Sequence, residues 1–272
     1  MSEFFKDSFK KFKTTRKLEG GRGANVISTK LGKCVVTNSQ GKDVNYTCVE
    51  KTFFDKYSLD RAVNAFKFVH SKTGIKDYFP EVYHIGHEDR TIRMAYFACE
   101  SLEDYFQNID IFDKSNERQI NGVFLSINDL LNTLIFNDIV HGDFHSGNVL
   151  LCLSKYKPMV NLKVIDLDEA GPIANPVEWD ETTQTLREDD AKGQRSDKYS
   201  DASVLGGNIR NDLLVASSRR LRESNKTKNK RARVEFDRDA AEKRIEDRLH
   251  EFSNLGKLCM NGWDYPSGSD SD

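Results

Sequence analysis

Apolar residues recur at helical spacing most clearly in Ile120, Val123, Phe124, Ile127, Leu130, Leu131, Leu134 and Ile135. They follow the i, i+3, i+4, i+7 rule of a helix with one buried face, and so predict a long central helix. Upstream the pattern is different. Residues 25–29, 33–37 and 44–53 are rich in Val, Ile, Thr and aromatics and are separated by Gly32 and Gly41, which predicts an antiparallel meander. A helix over 58–70 and strands over 82–85 and 91–97 complete a compact first lobe of five strands and one helix. Further on, residues 148–153 and 162–167 flank a Lys-Tyr-Lys-Pro turn and predict a hairpin. The period is lost over 171–200, which reads as a long surface loop. Helices resume over 201–217 and over 237–252, where Ala241, Ile245, Leu249 and Phe252 share a face. At the start of the chain Phe5, Phe9 and Phe12 lie at helical spacing among lysines, which predicts a short basic amphipathic helix within 1–17, docked on its own domain.

Composition narrows the class. Of 272 residues, 38% are hydrophobic and 31% charged, and 41 basic residues nearly balance 43 acidic ones, for a net charge of −2. No whole-chain field favours nucleic acid or an acidic surface. The local exception is residues 219–233, with eight Lys or Arg against Glu223 alone. That run suits a solvated helix end, an anion-binding patch or a nuclear localisation signal, and nucleic acid is not implied beyond it. The five cysteines, Cys34, Cys48, Cys99, Cys152 and Cys259, are odd in number, with no C-x-x-C pair, which argues against a disulfide framework and for a reducing interior. No run approaches a membrane span and no secretory signal is visible, so the expectation is a soluble, intracellular protein, cytoplasmic or also nuclear. Residues 257–272 read as a flexible acidic, Ser-rich tail, in which Ser267 and Ser269 each precede an Asp by three positions, the spacing an acidophilic kinase would modify.

Candidate chemistry concentrates in Ile139-Val-His-Gly-Asp-Phe-His-Ser-Gly-Asn-Val-Leu-Leu151 and Val164-Ile-Asp-Leu-Asp-Glu-Ala170. Asp143 and Asn148 keep the spacing H-x-D-x-x-x-x-N, and Asp166 ends an apolar strand. A hairpin between these segments would bring two carboxylates and an amide oxygen to one edge. Hard oxygen ligands of this kind suit Mg²⁺ shared with phosphates.

In these residues the chain resembles the protein kinase-like superfamily. The resemblance implies an α+β fold of two lobes: an antiparallel β N-lobe at 18–97 and a mainly helical C-lobe at 98–256, after the 1–17 extension. It implies ATP as nucleotide and Mg²⁺ or Mn²⁺ as cation. Asp143 would orient the acceptor hydroxyl and take its proton, Asn148 and Asp166 would hold the metal, and His145, where protein kinases usually have Lys, could donate to the moving phosphoryl group. Leu18-Glu-Gly-Gly-Arg-Gly-Ala-Asn-Val26 looks like the phosphate-covering loop, which gives Gly20, Gly21, Gly23 and Val26 to nucleotide binding, although Glu19 and Ala24 occupy its outer glycine positions. Thr47-Cys-Val-Glu-Lys51 looks like the strand carrying the phosphate-binding lysine, Lys51. Met94 would gate the adenine pocket, and adenine would pair with backbone at Ala95 and Phe97. Asp201 resembles the acid that braces the catalytic loop.

Departures from the family pattern matter as much. The helix over 58–70 contains no Glu to pair with Lys51 and only Asp60 as an acid, which leaves a weakened clamp or a rewired one. Gly142 replaces the Arg that docks a phosphorylated loop in many regulated kinases. Asp166-Leu-Asp168 replaces D-F-G, and residues 171–200 show no A-P-E element. His141, beside Ile139 and Val140, reads as a packed core residue. The first expectation is an ATP-dependent Ser/Thr protein kinase of a reduced kind. A small-molecule phosphotransferase of the aminoglycoside or choline type, and a catalytically weak pseudokinase scaffold, are the alternatives.

Overall fold

The structure is a computed structural model that describes residues 9–18, 25–37, 40–153, 160–172, 177–180, 185–188, 200–226 and 234–254. It is α+β, with an antiparallel sheet and five α-helices among the described residues. These residues fall into two compact units, one drawn from Met1–Ala98, Ile139–Gly142 and Lys163–Arg195, the other from Cys99–Asp138, Asp143–Leu162 and Ser196–Asp272.

The first unit is built on a five-stranded sheet. Strands β1 (Phe9–Lys17), β2 (Val26–Thr37) and β3 (Asp43–Phe53) form a meander; helix α1 (Lys56–Ser71) follows, then β4 (Val82–Gly86) and β5 (Thr91–Ala95). The spatial order is β1-β2-β3-β5-β4, and the paired strands run antiparallel. Asp55 caps α1 by accepting from the Ser58 N–H at 2.7 Å. Leu59, Ala62, Val63, Phe66 and Val69 form its buried stripe.

Two sequence expectations are corrected here. Residues 9–17 form a strand, not part of a basic helix; the portion of 1–17 before Phe9 lies outside the described residues. Phe9 and Phe12 are three apart, the wrong parity for one face of a regular strand, but a register shift between Phe9 and Lys11 restores it, as a β-bulge does. Both rings pack on the buried cluster of Cys34, Val36, Cys48 and Tyr83, and the Arg93 guanidinium lies over both. Second, residues 25–29 and 33–37 belong to one strand, β2, which runs through Gly32. A Cβ at Gly32 would stand 2.3 Å from the Phe12 ring, so the glycine marks a side-chain approach within the strand, not its end.

Cysteine usage is a third correction. Cys34 and Cys48 are paired as a disulfide, as are Cys99 and Cys152. Cys34 faces Tyr46 and Cys48 faces Gly32 in the β2–β3 register, so the two cysteines are diagonal neighbours with Cα atoms 6.1 Å apart. An odd count cannot reveal a pairing that only strand register creates, and the count no longer argues for a reducing compartment.

Later segments of the first unit include β9 (Val177–Asp180) and β10 (Thr185–Glu188), an antiparallel pair inside the stretch expected to be loop. Val-Glu-Trp-Asp and Thr-Leu-Arg-Glu are each too short for a strand period to stand out.

The second unit opens with β6 (Glu100–Ser101) and α2 (Leu102–Asn108), continues through α3 (Glu117–Phe136), and carries β7 (Val149–Leu153) and the start of β8 (Val160–Val164), the last two residues of which belong to the first unit. These strands form a sheet in the order β6-β7-β8, so β7 and β8 are neighbours as the expected hairpin requires, and its Lys-Tyr-Lys-Pro turn lies outside the described residues. Ile120, Val123, Phe124, Ile127, Leu130, Leu131 and Leu134 of α3 are all buried. Ser126 donates to the Val160 carbonyl at 3.2 Å, fixing α3 against the start of β8.

Helices α4 (Ser200–Lys226) and α5 (Arg238–Asn254) complete the unit. Helix α4 runs nine residues past the expected 217, into the basic run. There Arg220 donates to the carbonyls of Asn108 and Ile109 at the C-terminus of α2, where a cation complements the helix dipole, and Arg219 donates to Gln107. Part of the run is therefore structural; residues 227–233, like the tail with Ser267 and Ser269, lie outside the described residues. Among the described residues no helix is long and apolar enough to cross a membrane.

Candidate active site

In the first unit the site centres on Lys51. Strand alternation sends neighbouring residues of β3 to opposite faces. Glu50 goes to one face, where it accepts from Lys30 at 3.1 Å and from Arg93 at 2.7 Å, each contributed by an adjacent strand. Lys51 goes to the other and is only 7% exposed. A buried ammonium needs compensation. Lys51 Nζ donates to Asp166 Oδ1 and, at 3.1 Å, to Asp168 Oδ2.

The Asp-Leu-Asp turn that supplies both carboxylates has its own frame. Asp166 adopts the left-handed conformation, φ 64° and ψ 54°, which Asp tolerates better than most side chains. It leads into a one-turn 3-10 helix, Leu167–Glu169, whose Leu167 is fully buried. Glu169 accepts from Arg61 of α1, and α1 packs along this turn. His141, 1% exposed, bonds through Nε2 to the Ile165 carbonyl at 2.9 Å, and Val140 and Gly171 exchange two backbone hydrogen bonds, so the residues just before Gly142 are tied to both sides of the turn. Gly142 has φ +82°, and a Cβ there would stand 2.8 Å from the Glu169 carbonyl oxygen. No Arg fits in that space. Gly142→Ala is expected to lower stability by roughly 1–3 kcal/mol, through left-handed strain and a clash with backbone, as read by urea unfolding.

The electrostatics follow from depth. Burial opposes the charged form of Lys51, but the charges of Asp168 and Asp166 outweigh it and its pKa is raised. Burial pushes Asp168 up to about 6 against the pull of Lys51, and the Asp166 charge adds to the push. Asp166, with 34% of its side chain exposed, is desolvated as well, yet Lys51 outweighs that and its pKa is lowered, with His141 acting in the same direction. Asp168 is thus the inner acid and Asp166 the outer one. Asp168 Oδ1 is buried without a hydrogen-bond partner.

In the second unit the residues from Asp143 to Asn148 form a tight loop closed by the 3-10 turn Ser146–Asn148. The Asp143 main-chain carbonyl accepts from the His145 N–H at 3.1 Å and from Asn148 Nδ2 at 3.0 Å. Asn148 Nδ2 also approaches Asp143 Oδ2 at 3.4 Å, which leaves the amide oxygen as the acceptor end of a side chain that is 6% exposed. His145 Nδ1 accepts from the Gly147 N–H at 3.1 Å, so a neutral ring carries its proton on Nε2, 3.8 Å from Asp143 Oδ2. The Asp143 side chain is 58% exposed.

This loop is braced by a residue the motif reading missed. Ser146 donates to Asp212 Oδ2 at 2.6 Å, and Gln107 donates to Asp212 Oδ1 at 3.2 Å. Burial raises the Asp212 pKa; those two hydrogen bonds oppose the shift and Glu103 reinforces it. Asp212 is 5% exposed, in the α4 stripe Leu205, Ile209, Asp212 and Ala216. A carboxylate at a buried position of an apolar stripe was the available signal. Asp201, the brace expected by resemblance, is buried at the start of the same helix.

The structure thus joins Lys51 with Asp166 in one unit, and Asp143 with His145 and Asn148 in the other. Gly20, Gly21 and Gly23 lie outside the described residues. Val26 opens β2 opposite Phe53, and Met94 is 5% exposed in β5. The Ala95 N–H donates to the Glu81 carbonyl at 2.8 Å, and Ala95 and Phe97 line a cavity of about 420 Å³ with His70, Lys76, Asp77, Phe79, Glu81 and Lys163. Among the described residues no three His, Cys, Asp or Glu side chains converge as a metal cluster. Within the first unit the half-open Asp166 carboxylate and the unpartnered Asp168 oxygen are hard oxygens, of the kind that bind Mg²⁺ together with waters and phosphate; in the second unit, taken by itself, the Asn148 amide oxygen is another.

Compared with known proteins, the chain matches no family model, and no curated protein is similar to it in sequence.

Proposed function

We propose that the chain is an ATP- and Mg²⁺-dependent phosphotransferase of the two-lobed kinase-like fold, acting on Ser or Thr hydroxyls of a protein. The observation that carries this reading is the buried Lys51 held by the first carboxylate of Asp166-Leu-Asp168. An ammonium at the inner face of a β-strand beside a partly exposed carboxylate is suited to exchange that carboxylate for phosphate oxygens. Asp166 and Asn148 are the residues assigned to Mg²⁺, which when bound neutralises phosphate charge.

The chain's own groups have separate tasks in this reading. Lys51 binds and orients phosphate. Asp143, exposed on a loop fixed by its own main-chain carbonyl, accepts the proton of the acceptor hydroxyl at its carboxylate. His145 Nε2–H stands near the same carboxylate and can donate to an anionic oxygen. The absence of room for Arg at position 142 supports a kinase not switched by docking a phosphorylated loop there.

The test is purified chain with Mg²⁺ and γ-labelled ATP, offered mixed proteins and a panel of amino alcohols, beside an Asp143→Ala control. Label on protein that disappears in the control is the expected result. Label on a small acceptor alone would replace the protein substrate by a small molecule, and ATP binding without turnover would leave a pseudokinase scaffold.

A further inference from the structure

The described part of the first unit contains a lysine that the helix beside it does not neutralise. Helix α1 carries no Glu, and its charged contact with the Asp-Leu-Asp turn has the opposite polarity: Arg61 of the helix holds Glu169 of the turn. The acid that meets Lys51 from the interior is Asp168, 11% exposed at its side chain, whereas Asp166 is 34% exposed. Asp168 is held by the buried Leu167 before it, by the Ala170 N–H donating to Leu167 O at 2.9 Å, and by the close approach of Gly142 to Glu169.

We infer that Asp168 is the positioning residue of Lys51: its Oδ2 anchors the ammonium from the inside, so that Asp166, the outer acid, can release Lys51 and turn to a ligand without the lysine losing its direction. The helix contributes at one remove, through Arg61 and Glu169, by fixing the turn that carries Asp168. This inference rests on the phosphotransferase reading for its purpose, and on the geometry of Lys51 and Asp168 alone for its existence.

Two measurements separate those supports. The first uses no nucleotide. Full-length wild type and Asp168→Asn are treated with an amine-acetylating reagent at pH 8, and the rate at Lys51 is followed by peptide mass spectrometry. Removing the inner contact frees the Lys51 amine from Asp168 Oδ2 and should speed its acetylation about tenfold, the scale of losing one charge-assisted hydrogen bond; surface lysines serve as internal controls. The second is steady-state kinetics: in Asp168→Asn the KM for ATP should rise about tenfold, with kcat changed less, because a ground-state phosphate contact is disordered. Asp168→Glu, which keeps the charge, should recover part of both. Unchanged acetylation and unchanged KM would overturn the assignment while leaving the function standing. Faster acetylation with no nucleotide binding by wild type would keep the anchor and remove the phosphotransferase reading. Should Asp168→Asn not fold, carbodiimide coupling of wild type decides: an isopeptide link from Lys51 to Asp168 supports the anchor, and links to Asp166 alone refute it.

Discussion

Asp166→Asn is expected to reduce Mg²⁺-dependent phosphotransfer on the order of 10³-fold or more, with little change in folding. On the proposed function the size comes from the loss of a charged oxygen ligand to the ion that would offset phosphate charge, a contribution of several kcal/mol to the transition state. The choice of asparagine comes from the backbone. Asp166 sits at φ 64°, a conformation that Asn tolerates and that costs alanine about 1–2 kcal/mol, so Asp166→Ala would mix strain with lost chemistry. In Asp166→Asn, Lys51 keeps its bond to Asp168 and the buried ammonium stays compensated. The check is turnover of γ-labelled ATP in Mg²⁺ beside a urea unfolding midpoint. Turnover within about threefold of wild type, with an unchanged midpoint, would remove Asp166 from the metal assignment.

That backbone conformation shows what a sequence can and cannot display. The α3 stripe, the helix over 58–70 and the pairing of β7 with β8 were legible as local patterns, whereas Lys51 and Asp166 were singled out by their resemblance to kinase motifs. Tertiary register was not legible. The bulge in β1 turns Phe9 and Phe12, spaced as in a helix, into neighbours on a sheet face, and Cys34 meets Cys48 only through the β2–β3 pairing. The lysine clamp was hidden for a related reason. The kinase pattern places the partner acid on the helix, whereas here an acid two residues beyond Asp166 meets the lysine, and only the fold reveals that the turn brings both carboxylates to one ammonium. Asp212 lies outside the kinase motif, which points to Asp201 on the same helix; its only mark in the sequence is a carboxylate within an apolar stripe.

Asp143→Ala should lower kcat by about 10²–10⁴, the range for losing a positioned general base, with the KM for ATP nearly unchanged. Stability should move by less than about 0.5 kcal/mol, because the contact the exposed carboxylate makes with Asn148 Nδ2 is long, at 3.4 Å. The loop's geometry supports this separation. Its closing hydrogen bonds, from the His145 N–H and from Asn148 Nδ2, reach the Asp143 main-chain carbonyl, which alanine retains, and the carboxylate itself is 58% exposed. Asp212→Ala makes the contrast. It leaves Ser146 and Gln107 facing a buried void, so about 1–3 kcal/mol of stability should be lost, and kcat should fall only as far as the loop loosens. Urea midpoints and initial rates for the two variants therefore separate chemistry from support: Asp143→Ala active and Asp212→Ala silent would move the proton-accepting role away from Asp143. The reverse pattern, a silent and fully stable Asp143→Ala beside a weakened but working Asp212→Ala, is what a loop built to present one carboxylate to an acceptor hydroxyl requires.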